Sequence, residues 1–313
     1  MASVGALDGQ AISVTGLTKD YDGLRALDHA TFEVPFGTIC GFVGPNGSGK
    51  TTTIRMLLGL IQPSDGTGTI LGQTIRHPER YLHSVGALIE GPAFYPALTG
   101  EENLRVLATL GGYPHSQIQP LLETVGLGDR GDSKYKTYSL GMKQRLGIAA
   151  ALLPEPKLLI LDEPTNGLDP SGIQEIRDLL EKLAKSGVTI FVSSHLLSEI
   201  EMISEFLVML KDGKVIFFGK TTDLLHRSKP TITAIPKNPG DLDRLYEIAV
   251  RAGHPTRREG DELHIDAEEE WGAELNRLAH ENGILLKQIT PVRPTLEETF
   301  FEMTENKDSE GRS

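Results

Sequence analysis

The chain has 313 residues, 39% of them hydrophobic, with 43 acidic and 31 basic side chains, a formal net charge of −12 and one cysteine. That length and apolar content support one large domain plus a small one, each with a core. The acidic balance argues against a nucleic-acid-binding surface, the lone Cys40 excludes an internal disulfide and points to an intracellular setting, and no apolar run approaches the ~20 residues that cross a membrane. The N-terminal "MASVGALDGQ" lacks the charged and long apolar segments of a signal peptide. If the protein works at a membrane, something else must hold it there.

Residues 11–36 read as strands, "AISVTGLTKDY" and "ALDHATFEV", rich in β-branched and apolar residues with turn residues between them. From Ile39 to about Thr222 strands alternate with helices. "ICGFV", "LLILD" and "TIFVSS" are near-continuous apolar runs of strand length. Such runs predict a parallel sheet covered on both faces. Cys40, inside "TICGFVG", reads as a small buried hydrophobe. The stretch "VGALIE" reads as a strand ending at Ile89, since Gly91 and Pro92 follow, with a single carboxylate, Glu90, at its mouth. Residues from about 92 to 153 read as an inserted helical subdomain. "SGIQEIRDLLEKLAKSG" places Ile173, Ile176, Leu179, Leu180 and Leu183 on one helical face. "FLVMLKDGKVIFFG" predicts a hairpin turning at Asp212-Gly213.

A boundary is expected near 228, in "HRSKPT". Beyond it, to about 305, the order is strand (231–235), helix (241–253), two strands about the "EGDE" turn, helix (268–283) and strand (284–290). This β-α-β-β-α-β order predicts a small α+β ferredoxin-like domain. Trp271, Leu275, Leu278 and Ala279 form the core stripe of its second helix, which the acidic run 268–270 is expected to open. The tail 306–313 reads as disordered.

"GPNGSGKTT" decides the class. Gly44, Gly49, Lys50 and Thr51 fit G-x-x-x-x-G-K-[ST], between a strand and a helix. The loop, with Asn46, Gly47 and Thr52, lets backbone N–H groups curl round phosphates at a helix N-terminus. Lys50 is expected on the β- and γ-phosphates, and Thr51 on Mg²⁺. "LLILDEPTNGLD" then brings Asp162 and Glu163 to a strand end, where ligands sit in open α/β sheets. Asp162 is expected to hold Mg²⁺ through water, and Glu163 to orient or activate a hydrolytic water.

With these residues in place, the chain resembles the ATPase subunit of ATP-binding-cassette (ABC) transporters over about residues 10–226, and the cassette domain is expected to span 10–228. "YSLGMKQRLGIAAAL" is similar to the family's signature motif and following helix, "TNGLDP" to its D-loop with Asp169, and "SSHLLSEIE" to its switch-histidine segment with His195. Tyr21 matches the aromatic that stacks on adenine. The resemblance implies a parallel-sheet core, an antiparallel β subdomain and a helical subdomain. It also implies two chains packed head-to-tail around two ATP, each phosphate loop facing the other chain's signature. There Ser139, capping a helix, and Gly141 would meet the γ-phosphate, while Leu140 and Met142 depart from the usual residues. Asp169 would couple the two sites and His195 would report the γ-phosphate.

Glu90 stands where the family usually has a glutamine that touches Mg²⁺ and the attacking water. A glutamate there resembles the lantibiotic self-protection branch, with drug- and bacitracin-resistance ATPases alike around it. The implied role is an ABC-2-type exporter subunit at the cytoplasmic face of the membrane. It would be held by a separate permease and would not insert into lipid or bind nucleic acid. The alternatives are a soluble cassette acting on ribosomes or DNA, which would carry two cassettes or a coiled-coil insertion, and a small-molecule kinase.

Overall fold

A computed structural model describes residues 9–91, 93–225, 230–292, 295–301 and 303. Its contacts divide it into two units, separated after Thr221.

In the first unit, β1 (Gln10–Tyr21) and β2 (Leu24–Pro35) pair antiparallel through a turn at Asp22-Gly23, both of positive φ. β3 (Ile39–Val43) and α1 (Lys50–Leu57) follow. β4 (Asp65–Ile70) and β5 (Gln73–Thr74) then complete an antiparallel sheet in the order β2-β1-β4-β5. After β6 (Val85–Leu88) come α2 (Gly100–Gly111), α3 (Ile118–Thr124) and α4 (Leu140–Leu152). α2 opens with a capping box: Glu102 N–H donates to Thr99 Oγ1 while Thr99 N–H donates to Glu102.

β7 (Leu158–Asp162), α5 (Pro170–Lys185), β8 (Thr189–Ser194) and α6 (Leu197–Glu201) return to the core. β9 (Phe206–Lys211) and β10 (Lys214–Lys220) form the expected hairpin, with Asp212 and Gly213 both at positive φ. Together these strands make a six-stranded sheet, β10-β9-β3-β8-β7-β6, parallel except at the β10 edge. Every residue of β3, β7 and β8 is buried, as their unbroken apolar character requires. Phe32, Phe42 and Phe191 join the two sheets through ring contacts of 4.8–6.1 Å. Cys40 lies wholly inside, and burial pushes its thiol pKa well up.

Parallel register gathers the strand ends. Val43 pairs with Ser194 and Asp162 with Ser193, so the loops leaving β3, β7 and β8 emerge at one edge. β6 ends at Leu88, one residue before the sequence pattern predicts. Glu90 follows in the left-handed region, φ 58°.

α7 (Thr221–Leu225) crosses the division between units. The second unit runs β11 (Thr231–Pro236), α8 (Leu242–Arg251), β12 (Thr256–Glu259), β13 (Glu262–Asp266), α9 (Trp271–Glu281) and β14 (Leu286–Val292). Its sheet is antiparallel in the order β12-β13-β11-β14, the ferredoxin-like arrangement. Ile232, Leu245, Leu263, Ile265 and Leu275 fill its core. Glu268–Glu270 lead into α9 by a turn, with Trp271 N–H on Glu268 O at 3.0 Å and Glu270 as the N-cap, so the helix itself begins at Trp271 and not at Glu268 as the sequence pattern predicts. The N-terminal residues 1–8, Pro92, the boundary segment 226–229 and the tail 306–313 lie outside the described residues.

Candidate active site

The loop after β3 is shaped by glycine. A Cβ on Gly44 would lie 2.3 Å from Leu210 O, and one on Gly49, at φ 104°, 2.6 Å from Ala26 O. Backbone packs where side chains would stand, and the loop wraps Lys50. The Lys50 ammonium, 6% exposed, donates to Gly44 O at 2.7 Å and Pro45 O at 3.3 Å and pairs with Glu163 Oε1 at 3.2 Å.

Glu163 stands just past β7 with φ 50°, a left-handed conformation that costs a non-glycine residue of order 1–3 kcal/mol. Three hydrogen bonds hold it there. Its N–H donates to Ser193 Oγ at 2.9 Å, and its Oε2 meets His195 Nδ1 at 2.7 Å and the His195 N–H at 3.3 Å. The carboxylate therefore bridges the lysine of one loop and the histidine of another. His195 is about a third exposed, at 32%, so one face remains open to a ligand.

Asp162 lies deeper, 5% exposed. Ser193 Oγ donates to its Oδ1 at 2.6 Å and Thr51 Oγ1 to its Oδ2 at 2.9 Å. A hydroxyl and a carboxylate, both hard oxygen donors, thus meet at the start of α1. Among the described residues no cluster of three His, Cys, Asp or Glu side chains could hold a metal alone. That donor set fits Mg²⁺, which takes one or two protein oxygens and completes its shell with water and phosphate.

A cleft of about 460 Å³ opens over this machinery, lined by Tyr21, Asn46, Gly47, Gly49, Lys50, Thr51, Thr52, Glu163, Asn166 and His195, with Leu24 and Ala26. Tyr21, 41% exposed, has the Lys19 ammonium 4.9 Å from its ring centre. Lys19 is anchored on Gln62 O at 2.9 Å.

Six expected residues do not line this cleft: Gly44 and Asp162 meet it only through Lys50 and Thr51, and Ser139, Gly141, Asp169 and Glu90 lie away from it. Ser139 caps α4, accepting from Met142 N–H at 3.2 Å. Asp169 caps α5, accepting from Gly172 N–H at 3.1 Å. A Cβ on Gly141 would touch Leu168 at 3.8 Å and one on Gly167 would touch Leu140 at 3.2 Å, so these two loops adjoin. Glu90 is two-thirds exposed and paired with Arg55 of α1.

Sequence reasoning passed over Ser193, Asn166 and Arg55. Ser193 was within reach: with β7 and β8 parallel neighbours, equal register sets it beside Asp162. Arg55 carries no local signal, because it meets Glu90 35 residues away, while Asn166 reaches the cleft on the same loop as Glu163.

A family model described as "ABC transporter" matches residues 27–166. The "Bacitracin transport ATP-binding protein BcrA" of Enterococcus faecalis is 40% identical over 296 residues, covering 93% of this chain and 96% of that protein. The chain belongs to the ABC transporter ATP-binding proteins. Another ABC relative, the "Lantibiotic transport ATP-binding protein SrtF" of Streptococcus pyogenes, is 43% identical over 205 residues, 66% of this chain and 89% of that one. Among solved structures, an ATP-binding subunit of an ABC transporter superposes with a TM-score of 0.62 at 33% identity, covering 69% of this chain and 92% of that one. As an ABC ATPase the chain binds and hydrolyses ATP as a transporter subunit, and these matches do not favour a cassette acting on ribosomes or DNA. No described helix is long and apolar enough to cross a membrane.

Proposed function

We propose that two copies of this chain close head-to-tail around two ATP and Mg²⁺. Their cycle drives export of a small drug- or peptide-antibiotic-like compound through a separate permease, which holds the pair at the cytoplasmic face. The observation that carries the catalytic part is the Glu163 carboxylate, fixed between Lys50 and His195 at the floor of one cleft. The export reading rests on likeness to the bacitracin protein along both units.

Tyr21 stacks on the adenine. The phosphate loop, through Asn46, Gly47, Gly49 and Thr52, and the Lys50 ammonium hold the phosphates. Thr51 and Asp162 would hold Mg²⁺, which offsets phosphate charge when bound. Glu163 orients a water for attack, an effect worth roughly 10²–10⁴-fold. His195 meets the γ-phosphate, and Glu163 keeps its ring in place through Nδ1. Ser139 and Gly141 of one copy approach the ATP of the other, and Asp169 links the two sites. Two-fold symmetry makes both composite sites alike. Glu90, paired with Arg55 here, would contact the metal and the attacking water and carry the state of the site towards the permease. The cassette spans 10–228, with its helical subdomain at about 92–153, and the accessory domain 229–305.

One experiment tests the reading: Glu163→Gln is purified from detergent-solubilised membranes with ATP present. The expected result is an ATP-dependent dimer with hydrolysis nearly abolished, together with a multi-span membrane protein. Normal turnover would remove Glu163 from the reaction, and recovery of ribosomes or DNA in place of a permease would overturn the transport reading.

A further inference from the structure

The segments carrying Glu163 and His195 meet a second time, behind the cleft. Thr165 Oγ1 donates to Glu199 Oε2 at 2.6 Å across 34 residues of sequence. Both side chains are buried, at 9% and 8% exposure, and neither lines the cleft. Thr165 is two residues past Glu163; Glu199 is four past His195, on α6.

The carboxylate is costly where it lies. Glu199 Oε1 is buried without a hydrogen-bond partner among the described residues. An apolar pair of similar volume would pack as well without desolvating a carboxylate. What the polar pair adds is direction, since a short bond to a charged acceptor fixes where Thr165 sits.

The two ends of this bond are held differently. A Cβ on Gly41 of β3 would lie 2.1 Å from Ile200 Cγ2, so Ile200 seats in the notch that glycine leaves and pins α6 to the sheet. The loop 163–169 is a chain of tight turns, with Asn166 N–H on Glu163 O and Leu168 N–H on Thr165 O, both at 3.1 Å. Thr165 stands between Glu163 and Asp169 in that loop. Glu199 thus projects from a fixed frame onto the middle of a loop whose ends carry two expected functional carboxylates.

We infer that Glu199 is a positioning residue for ATP hydrolysis: through Thr165 it sets the loop 163–169 so that Glu163 stays within hydrogen-bond distance of His195. This rests on the reading of Glu163 as the carboxylate that orients water.

The test is steady-state ATP hydrolysis by the full chain, with thermal unfolding alongside. Glu199→Ala and Thr165→Val should each lower kcat by roughly tenfold to a hundredfold, as small misplacements of reacting groups do. KM for ATP should change by less than about twofold, since no phosphate contact is removed. The double variant should be no slower than the slower single, because both break one bond. Thr165→Ser, which keeps the hydroxyl, should restore turnover. Wild-type kcat in Thr165→Val, multiplying losses in the double variant, or KM rising as far as kcat falls would overturn the proposal. If Glu199→Ala does not fold, the nearly isosteric Thr165→Val decides against Thr165→Ser. Glu163→Gln is the control. If it hydrolyses normally, the proposal falls with the reading beneath it; if it is inactive while Thr165→Val is unimpaired, the positioning role alone fails.

Discussion

The starts of α1 and α4 are both expected to face phosphate, yet they are built in opposite ways. α1 begins after Gly49, in the left-handed region, with no side chain on its first-turn N–H groups. α4 begins after Ser139, whose hydroxyl already accepts from Met142 N–H. An uncapped helix start, folded into a glycine loop round a lysine, offers its donors to a ligand at once. A capped start is satisfied within its own chain, and its serine must trade that bond for a phosphate's. On the proposed reading, the first binds ATP alone and the second joins only when another copy brings its ATP.

Lys50→Met should break the open end outright, with hydrolysis falling at least ~10²-fold, the usual loss on removing a charge-stabilising group. ATP binding to the isolated chain, followed by fluorescence, should weaken with it. Ser139→Ala should cost α4 about 1 kcal/mol as a lost cap, read by urea unfolding. It should impair ATP-dependent dimerisation while the isolated chain still binds ATP. If instead Ser139→Ala weakened that monomeric binding as Lys50→Met does, the two helix starts would not be the different devices described here.

The smallest effect lies at the other end of α1, where Tyr81 donates to Leu57 O at 2.6 Å. Tyr81→Phe should lose about 1 kcal/mol with that bond. Burial, helped by Glu79, pushes the Tyr81 phenol up to about 12. The folded state therefore keeps this proton longer than the unfolded chain, whose phenol titrates near ~10. The resulting stability is present below about pH 10 and is lost as pH rises towards about 12. Unfolding curves at pH 8, 10 and 11 should show the wild type losing this advantage over Tyr81→Phe.

What the sequence disclosed follows the range over which each feature is encoded. The phosphate loop is a run of neighbours, so Gly44 to Thr52 were legible one by one. Asp162 and Glu163 were legible because an apolar strand ends there. The order of the small C-terminal unit followed from alternating patterns, while the start of α9 slipped past three glutamates that turn before the helix begins. The ties between loops were not legible. Arg55 against Glu90 and Thr165 on Glu199 join residues 35 and 34 positions apart, and only the folded chain brings them together.

The Lys50–Glu163 ion pair makes the cleft an interlock. Glu163 is engaged at both oxygens, one by the ammonium and one by His195. Stray water meets a carboxylate already spoken for. On the proposed reading, a triphosphate that draws Lys50 to itself frees one of those oxygens. Seating the fuel and releasing the catch are then a single exchange of partners.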